Sequence, residues 1–344
     1  MKEKYLDDSR RMADLIIRTA EQIKTSKGLV LLFVHRSVDG DCIGSACGMA
    51  EVIRNIGADA SVVLPDSLPE NMDFLDLADL TIDLTGEKVD VSRFGCSFAV
   101  DCSVADRMGI AGELFDSCEN TIIIDHHASV TERGENLWIE PDASSASELC
   151  YYAACQIADI LGRPVNEIIT PLAAKCFMMG IVTDTGRFTY SNTNPETLIA
   201  SGELMELGGD ISSVAYNMFD RKRKASVFVS SEAKLRSKFY YDDKLAVTTV
   251  PFELFEKYGA GSDSVDEVSG HLRDIKEVEV SVVLRKLSDG TVRGNVRSKS
   301  YFDAADFASL FGGGGHVRAA GFSITDGNLE EIADRVVKEA GNRL

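Results

Sequence analysis

The segment His35-Arg36-Ser37-Val38-Asp39-Gly40-Asp41 follows the apolar run LVLLFV and gathers one imidazole and two carboxylates in a short stretch of chain. In extended backbone Asp39 and Asp41 point the same way, and a turn at Gly40 would bring His35 beside them. Imidazole and carboxylate donors suit Mn²⁺ or Mg²⁺ better than a thiolate site would. The same residues also read as a polar loop capping the next helix, with Asp41 at the N-cap. Two further runs weigh toward chemistry. SFAV ends in Asp101 and TIII ends in Asp125-His126-His127, so three strand-like runs each deliver Asp or His at their carboxyl ends. Three of the chain's five histidines lie there. A fourth piece, Asp184 in GIVTDTG, follows an apolar helical stretch and taken alone reads as a cap or turn residue.

Charge adds an independent argument. Convergence of Asp39, Asp41, Asp101 and Asp184 would place their negative charges within a few ångströms of one another. At an effective dielectric of about 20, two like charges ~4 Å apart repel by roughly 4 kcal/mol. Such a cluster needs cations, and two divalent ions balance four carboxylates at the roughly 3.5–4 Å spacing that dinuclear sites use.

The elements that must position these residues are readable from periodicity. Residues 9–24 form an amphipathic helical stretch. The apolar runs Gly28–Val34, Ala60–Leu64, Ser97–Val100 and Thr121–Ile124 alternate with helical text at 43–56, 145–161 and 167–182. Continuous apolar runs alternating with helices predict an α/β fold with a mainly parallel, doubly wound sheet covered on both faces, whose ligands bind at the carboxyl ends of its strands. The acidic stretch 65–90 yields no assignment. SNTNPET at 191–197 reads as a turn and helix cap, and the basic cluster Arg221, Lys222, Arg223, Lys224 sits in helical text. From 238 onward the alternation of KLAVTTV, EVEVSVVLRKL and TVRGNVRS, with an Asp289-Gly290 hairpin signal, predicts a smaller mixed α+β C-terminal domain. The expected division is a catalytic metal-binding domain at 1–190, a helical connector at 191–237 and a substrate-binding domain at 238–344.

Composition bounds the partners. A chain of 344 residues exceeds what one core organises. A net charge of −19 excludes a protein that coats long duplex nucleic acid through a basic surface. An anionic substrate stays open, because bound metal ions add positive charge that a formal count omits. The eight scattered cysteines predict reduced, mostly buried thiols rather than a disulfide framework. No apolar run approaches the roughly 20 residues of a membrane helix, and MKEKYLDDSRRMADLI lacks the apolar stretch of a signal peptide. A cytoplasmic protein without a membrane partner is expected.

HRSVDGDCIGS, DCS, DHH and the TDTGRF segment, in that order across residues 28–190, resemble the four motifs of the DHH phosphoesterases. FGGGGHVRAAGF at 311–322, preceded by Asn295-Val296-Arg297-Ser298, resembles the glycine-rich signature of the DHH-associated C-terminal domain of nano-RNases and RecJ-like nucleases. The resemblance implies a two-metal phosphodiesterase, with Mn²⁺ expected first and Mg²⁺ or Co²⁺ as alternatives. It assigns His35, Asp39 and Asp101 to one ion, and Asp41, Asp101, His126 and Asp184 to the other, with Asp101 bridging. His127 matches the histidine that faces the substrate phosphate, and Asp125 a residue that orients a histidine ligand. Arg297, Ser298 and His316 match the phosphate grip, and Gly312, Gly313, Gly314 and Gly315 would let the backbone approach the ligand. Arg107 and Arg187 lie near motif residues and read as weaker phosphate contacts or, preferably, as solvated or ion-paired arginines. Two positions depart from the pattern: Val38 stands where proline is common, and Asn295 where serine often precedes the arginine.

The resemblance implies short oligoribonucleotides and linear dinucleotides as substrates, together with 3′-phosphoadenosine 5′-phosphate. A cyclic dinucleotide phosphodiesterase of the c-di-AMP type is the alternative. Inorganic pyrophosphatases share the first domain's motifs but carry a different C-terminal domain. A non-enzymatic nucleotide sensor would require a broken metal motif, and no metal position is broken. A short RNA or nucleotide is therefore the expected partner, and a homodimer is compatible with it.

Overall fold

The computed structural model describes residues 3–84, 93–127 and 134–344; residues 85–90 of the acidic stretch 65–90 lie outside these. The chain forms two compact units, Met1–Arg221 and Lys222–Leu344.

The first unit is built on strands β1 (Leu29–Phe33), β2 (Ala60–Leu64), β3 (Thr81–Asp83), β4 (Phe94–Val100), β5 (Thr121–Asp125) and β6 (Leu137–Ile139). They lie in the order β3-β2-β1-β4-β5-β6, and every pairing is parallel. The chain winds outward from β1 to β3, then crosses back to begin the other half at β4. The order therefore reverses between β1 and β4, and a crevice opens there at the carboxyl ends. Helices α1 (Glu3–Ser26), α2 (Gly40–Asn55), α3 (Gly112–Asp116), α4 (Ala146–Leu161), α5 (Val165–Ile168), α6 (Pro171–Asp184), α7 (Pro195–Glu206) and α8 (Ile211–Ala215) complete the unit.

Strand alternation explains why the apolar runs are continuous. Val30, Leu32, Val62, Phe98, Val100, Ile122 and Ile124 face the larger core, under α1, α2, α4 and α6. Leu31, Phe33, Val63, Ala99 and Ile123 face the smaller one, with Met108 and Phe115. Both faces are covered, so the central strands are almost wholly apolar; the buried Ser97 of β4 satisfies its hydroxyl on the Phe115 carbonyl at 2.9 Å. The doubly wound parallel sheet is thus as expected. The expectation missed β3 and β6, three residues each, too short to show a period.

The helices carry their own boundary signals. Asp39 is the N-cap of α2, its Oδ1 accepting the Asp41 and Cys42 N–H groups at 3.1 and 3.0 Å. This corrects the capping alternative: Asp41 lies inside the helix, so Asp39 and Asp41 do not share an extended segment. Thr170 caps α6, with Pro171 at its first position. Backbones of α2 and α6 approach closely at Gly44, where a Cβ would lie 2.4 Å from the Cys176 carbonyl oxygen and 2.9 Å from the Gly180 nitrogen.

The second unit begins with α9 (Lys224–Leu235) and carries strands β7 (Lys238–Tyr240), β8 (Leu245–Val250), β9 (Val280–Lys286), β10 (Val292–Ser298), β11 (Gly314–His316) and β12 (Ala319–Ile324). Their order is β11-β12-β10-β9-β8-β7, antiparallel except for β8 beside β9. Asp289-Gly290 turns β9 into β10, with Gly290 at φ +84° and the Asp289 carboxylate accepting the Thr291 N–H at 2.9 Å. One face packs on α12 (Ala304–Ser309) and α13 (Leu329–Gly341) through Phe302, Phe307, Ile332 and Val336. The other packs on α9, α10 (Phe252–Tyr258) and α11 (Val268–Arg273) through Val283 and Ala246. The mixed α+β C-terminal fold is as expected.

Gly44→Ala should lower the melting temperature, because overpacking against rigid backbone costs about 1–3 kcal/mol. Gly202→Ala should raise it slightly: Gly202 is inside α7, a Cβ there meets nothing within 4 Å, and removing an interior helical glycine gains up to about 1 kcal/mol. Thermal melts of the two variants check both signs.

Candidate metal centre

β1 and β4, the two strands flanking the switch point, deliver the first donors. His35 follows β1 by two residues and is buried. Its Nδ1–H donates to the Arg36 carbonyl at 2.8 Å, which leaves Nε2 to face the carboxylates. Asp101 follows β4 directly and adopts a left-handed φ of 55°, a conformation that aspartate tolerates better than most residues. Its N–H still donates to the Ile124 carbonyl at 3.0 Å, so the sharp turn is anchored to the sheet.

The two carboxylate oxygens of Asp101 face different partners. Oδ2 lies 3.4 Å from His35 Nε2, which is itself 3.5 Å from Asp39 Oδ2. Oδ1 lies 3.3 Å from His126 Nε2 and 3.4 Å from His127 Nδ1. His126 Nε2 is in turn 3.8 Å from Asp41 Oδ2 and 3.6 Å from Asp184 Oδ2. All six sequence-derived ligand candidates therefore converge, in two subsets that meet at Asp101. Cys42 also reaches the His35–Asp39 subset; sequence reasoning missed it, and its only signal was a position one turn into α2 from Asp39.

Neighbouring elements hold each donor. Asp41 is fully buried, and its carboxylate accepts the Ala146 and Ser147 N–H groups at 2.7 and 2.9 Å, at the positive N-terminus of α4. Gly180 makes room for it, since a Cβ there would lie 2.5 Å from Asp41 Oδ1. His126 Nδ1–H points to the Ala143 carbonyl at 3.4 Å. Asp184 is the last residue of α6. Asp125 accepts from His127 Nδ1–H at 2.9 Å and from Ser103 at 2.7 Å, so it orients His127 rather than the deeper His126. The His127 side chain is 39% exposed against 13% for His126, which makes His127 the histidine of the pair that meets solvent. Arg187 pairs with Asp220 at 3.2 Å and lies over the Phe219 ring, and Arg107 is exposed.

Protonation shows how much charge is crowded here. Burial raises the Asp184 carboxyl to about 6, helped by Asp101 and Asp39 and opposed by His126. Burial, then Asp101 and Asp184, push Asp41 well above the usual carboxylate range. Burial works to lower His126, yet Asp101, Asp41 and Asp184 hold it up at about 10. Burial likewise opposes the charge on His35, and Asp101 and Asp39 outweigh it. Without cations, protons compensate these carboxylates. Asp101 Oδ1 is buried and accepts no well-formed hydrogen bond, the mark of an oxygen built for another partner. Nitrogen and carboxylate donors in two subsets around a shared carboxylate fit two divalent ions.

The residues expected to grip phosphate lie in the second unit. Arg297 and Ser298 end β10; Arg297 donates to the Val296 carbonyl at 3.0 Å, and Ser298 Oγ to the Val317 carbonyl at 3.1 Å. Burial, then Arg273, lower the Arg297 guanidinium from its ordinary value, against Asp266. Gly313 must lack a side chain, because a Cβ would lie 2.2 Å from the Gly321 carbonyl oxygen. Gly315 has φ +145°. Gly314 and His316 are exposed on β11.

Comparison with known proteins agrees with this architecture. Residues 29–181 match the DHH family N-terminal domain, and residues 242–342 match the DHHA1 domain. The bifunctional oligoribonuclease and PAP phosphatase NrnA of Thermus thermophilus is 30% identical, over 94% of this chain and 93% of that protein. The cyclic-di-AMP phosphodiesterase PdeA of Listeria monocytogenes is 24% identical, over 96% of this chain but 50% of its own length. An exopolyphosphatase-related protein from Bacteroides fragilis has the same fold, with a TM-score of 0.80 at 22% identity over 94% of this chain and 95% of that one. The chain belongs to the DHH family of phosphoesterases, with a C-terminal DHHA1 domain. Among the described residues no helix is long and apolar enough to cross a membrane.

The pH response of metal binding follows from these shifts. Asp184, raised to about 6, contributes stability that is present below the ordinary carboxylate range and lost as pH rises through about 6. The raised histidines contribute in the same direction. Metal must displace these protons, so the rise in melting temperature on adding Mn²⁺ should be small at about pH 5.5 and largest near pH 8. Differential scanning fluorimetry across that range checks it; a shift that shrinks with rising pH contradicts the assignment.

Proposed function

We propose that this protein is a Mn²⁺-dependent phosphodiesterase and exoribonuclease that hydrolyses short oligoribonucleotides and linear dinucleotides, and dephosphorylates 3′-phosphoadenosine 5′-phosphate. The observation that carries the chemistry is the division of Asp101's two oxygens between the His35 and His126 subsets. The substrate class rests on family membership and on the activities named for the Thermus relative, which this chain matches along nearly its whole length.

In this reading His35, Asp39 and Asp101 would hold one ion, and Asp41, Asp101, His126 and Asp184 the other. When bound, such a pair supplies Lewis-acid neutralisation of phosphoryl oxygens and hydroxide at neutral pH. His127, pinned through Nδ1 by Asp125, presents Nε2 to solvent; it steadies charge on the phosphoryl group or protonates the leaving oxygen. Arg297, Ser298, His316 and the backbone of Gly313, Gly314 and Gly315 hold a substrate phosphate. Residues 1–190 thus act as the catalytic domain, 191–237 as a helical connector and 238–344 as the substrate-binding domain. We place the activity in the cytoplasm, in keeping with eight free cysteines.

Purified protein with Mn²⁺ should consume a linear dinucleotide, a pentanucleotide RNA and 3′-phosphoadenosine 5′-phosphate, and leave a cyclic dinucleotide largely intact. Chromatography of the products checks this; faster cleavage of the cyclic compound would favour a cyclic dinucleotide phosphodiesterase. Arg297→Ala and His316→Ala should keep their metal while kcat/KM falls by about one hundredfold, the scale of one or two lost charged hydrogen bonds. Loss of Mn²⁺ with normal substrate binding in either variant would overturn the division of labour.

A further inference from the structure

A cationic cavity in the second unit adjoins the glycine-rich loop assigned above and adds two arginines, Arg285 and Arg293, that have no role so far. Its volume is about 490 Å³, and its lining includes Arg285, Arg293, Asn295, Gly312, Gly313 and Gly321. Arg285 on β9 and Arg293 on β10 are direct cross-strand partners in the antiparallel register, so both side chains rise from the same face of the sheet. Like charges directly opposed across a ladder repel and destabilise the pairing. Asp266, paired with Arg285, offsets one of the two charges, and an anion bound between the arginines would offset the other.

The local contacts leave room for one. Arg285 is only 7% exposed, and its Nη1 donates to the Ser262 carbonyl at 2.7 Å and to Asp266. Asp266 Oδ1 also accepts from Asn295 Nδ2 at 3.3 Å. The Nε–H of Arg285 is buried and has no acceptor. Arg293 is exposed and enters no ion pair among the described residues. One buried guanidinium with an unused donor and one exposed guanidinium thus face a cavity lined in part by glycine backbone, and planar guanidinium forks match phosphate oxygens. On the same strand face, alternation puts Arg293, Asn295 and Arg297 in a row. By the rise of a strand, Arg293 stands about 13 Å from Arg297.

We propose that the Arg285–Arg293 cavity is a second phosphate subsite, which takes a phosphodiester of a short oligonucleotide beyond the one gripped at Arg297. This rests on the substrate reading above and deepens it: the subsite gives oligonucleotides affinity that a substrate with a single phosphate cannot gain.

The test compares a dinucleoside monophosphate, whose one phosphate is the scissile one, with a tetranucleotide. Initial rates with Mn²⁺ give KM and kcat for wild type, Arg293→Ala and Arg293→Glu, with circular dichroism melts to confirm folding; Arg293 is exposed, so its loss leaves the core intact. Arg293→Ala should raise KM for the tetranucleotide about tenfold, with kcat and the dinucleoside KM changing less than about twofold, and Arg293→Glu should raise it further. Unchanged tetranucleotide KM, or equal loss on both substrates, overturns the subsite while the substrate reading stands. A wild-type protein that cleaves neither compound overturns both.

Discussion

Carboxylates brought together in a partly buried crevice repel one another, and much of the first unit is arranged around that fact. Asp41 and Asp101 are almost completely buried, while Asp39 approaches His35 and Asp184 approaches His126. A protein gains nothing in stability from such a cluster, since burying charge is unfavourable unless it is compensated. Burial and mutual repulsion leave Asp41 and Asp184 holding protons above the usual range. We propose that divalent ions are the intended compensation, and that Asp101, with one oxygen toward each subset, is the shared ligand.

The rest of the unit supplies the restraint. Reversal of strand order between β1 and β4 opens the crevice at the place where His35 and Asp101 emerge. The N-terminus of α4 supports Asp41 with two backbone N–H groups. Gly44 lets α2 and α6 approach, so that Asp41 near the start of one helix and Asp184 at the end of the other reach a common histidine. Ser103 and Asp125 then fix the ring of His127 at the solvent side. The second unit has its own device, a glycine-rich edge strand, β11, separated by β12 from a β10 face that alternates cationic and amide side chains.

Much of this was legible in the sequence because the chemistry sits at strand ends. Three apolar runs ending in Asp or His declare both the sheet and its functional edge, and both cores bury alternate residues of those runs. What stayed hidden depends on contacts between distant segments. Asp39 and Asp41 looked like neighbours in extended chain, but the capping competition gave the cap to Asp39 and turned Asp41 toward α4. Gly180 reads as an ordinary helical glycine until Asp41 is seen packed against it. Cys42 looked like one more buried thiol, and Arg285 and Arg293 become a pair only through the β9–β10 register. The short strands β3 and β6 have no period of their own and are held by their neighbours.

The central claim is that Asp101 joins two metal sites, and metal stoichiometry tests it most directly. Equilibrium dialysis against Mn²⁺ followed by elemental analysis would count ions per chain in the wild type and in Asp101→Ala, with circular dichroism confirming that both are folded. Removing a shared ligand disrupts both subsets, so the account predicts two ions in the wild type, fewer than about one in the variant, and turnover lost with them. A folded variant that still holds two ions and works within about tenfold of the wild type would contradict it.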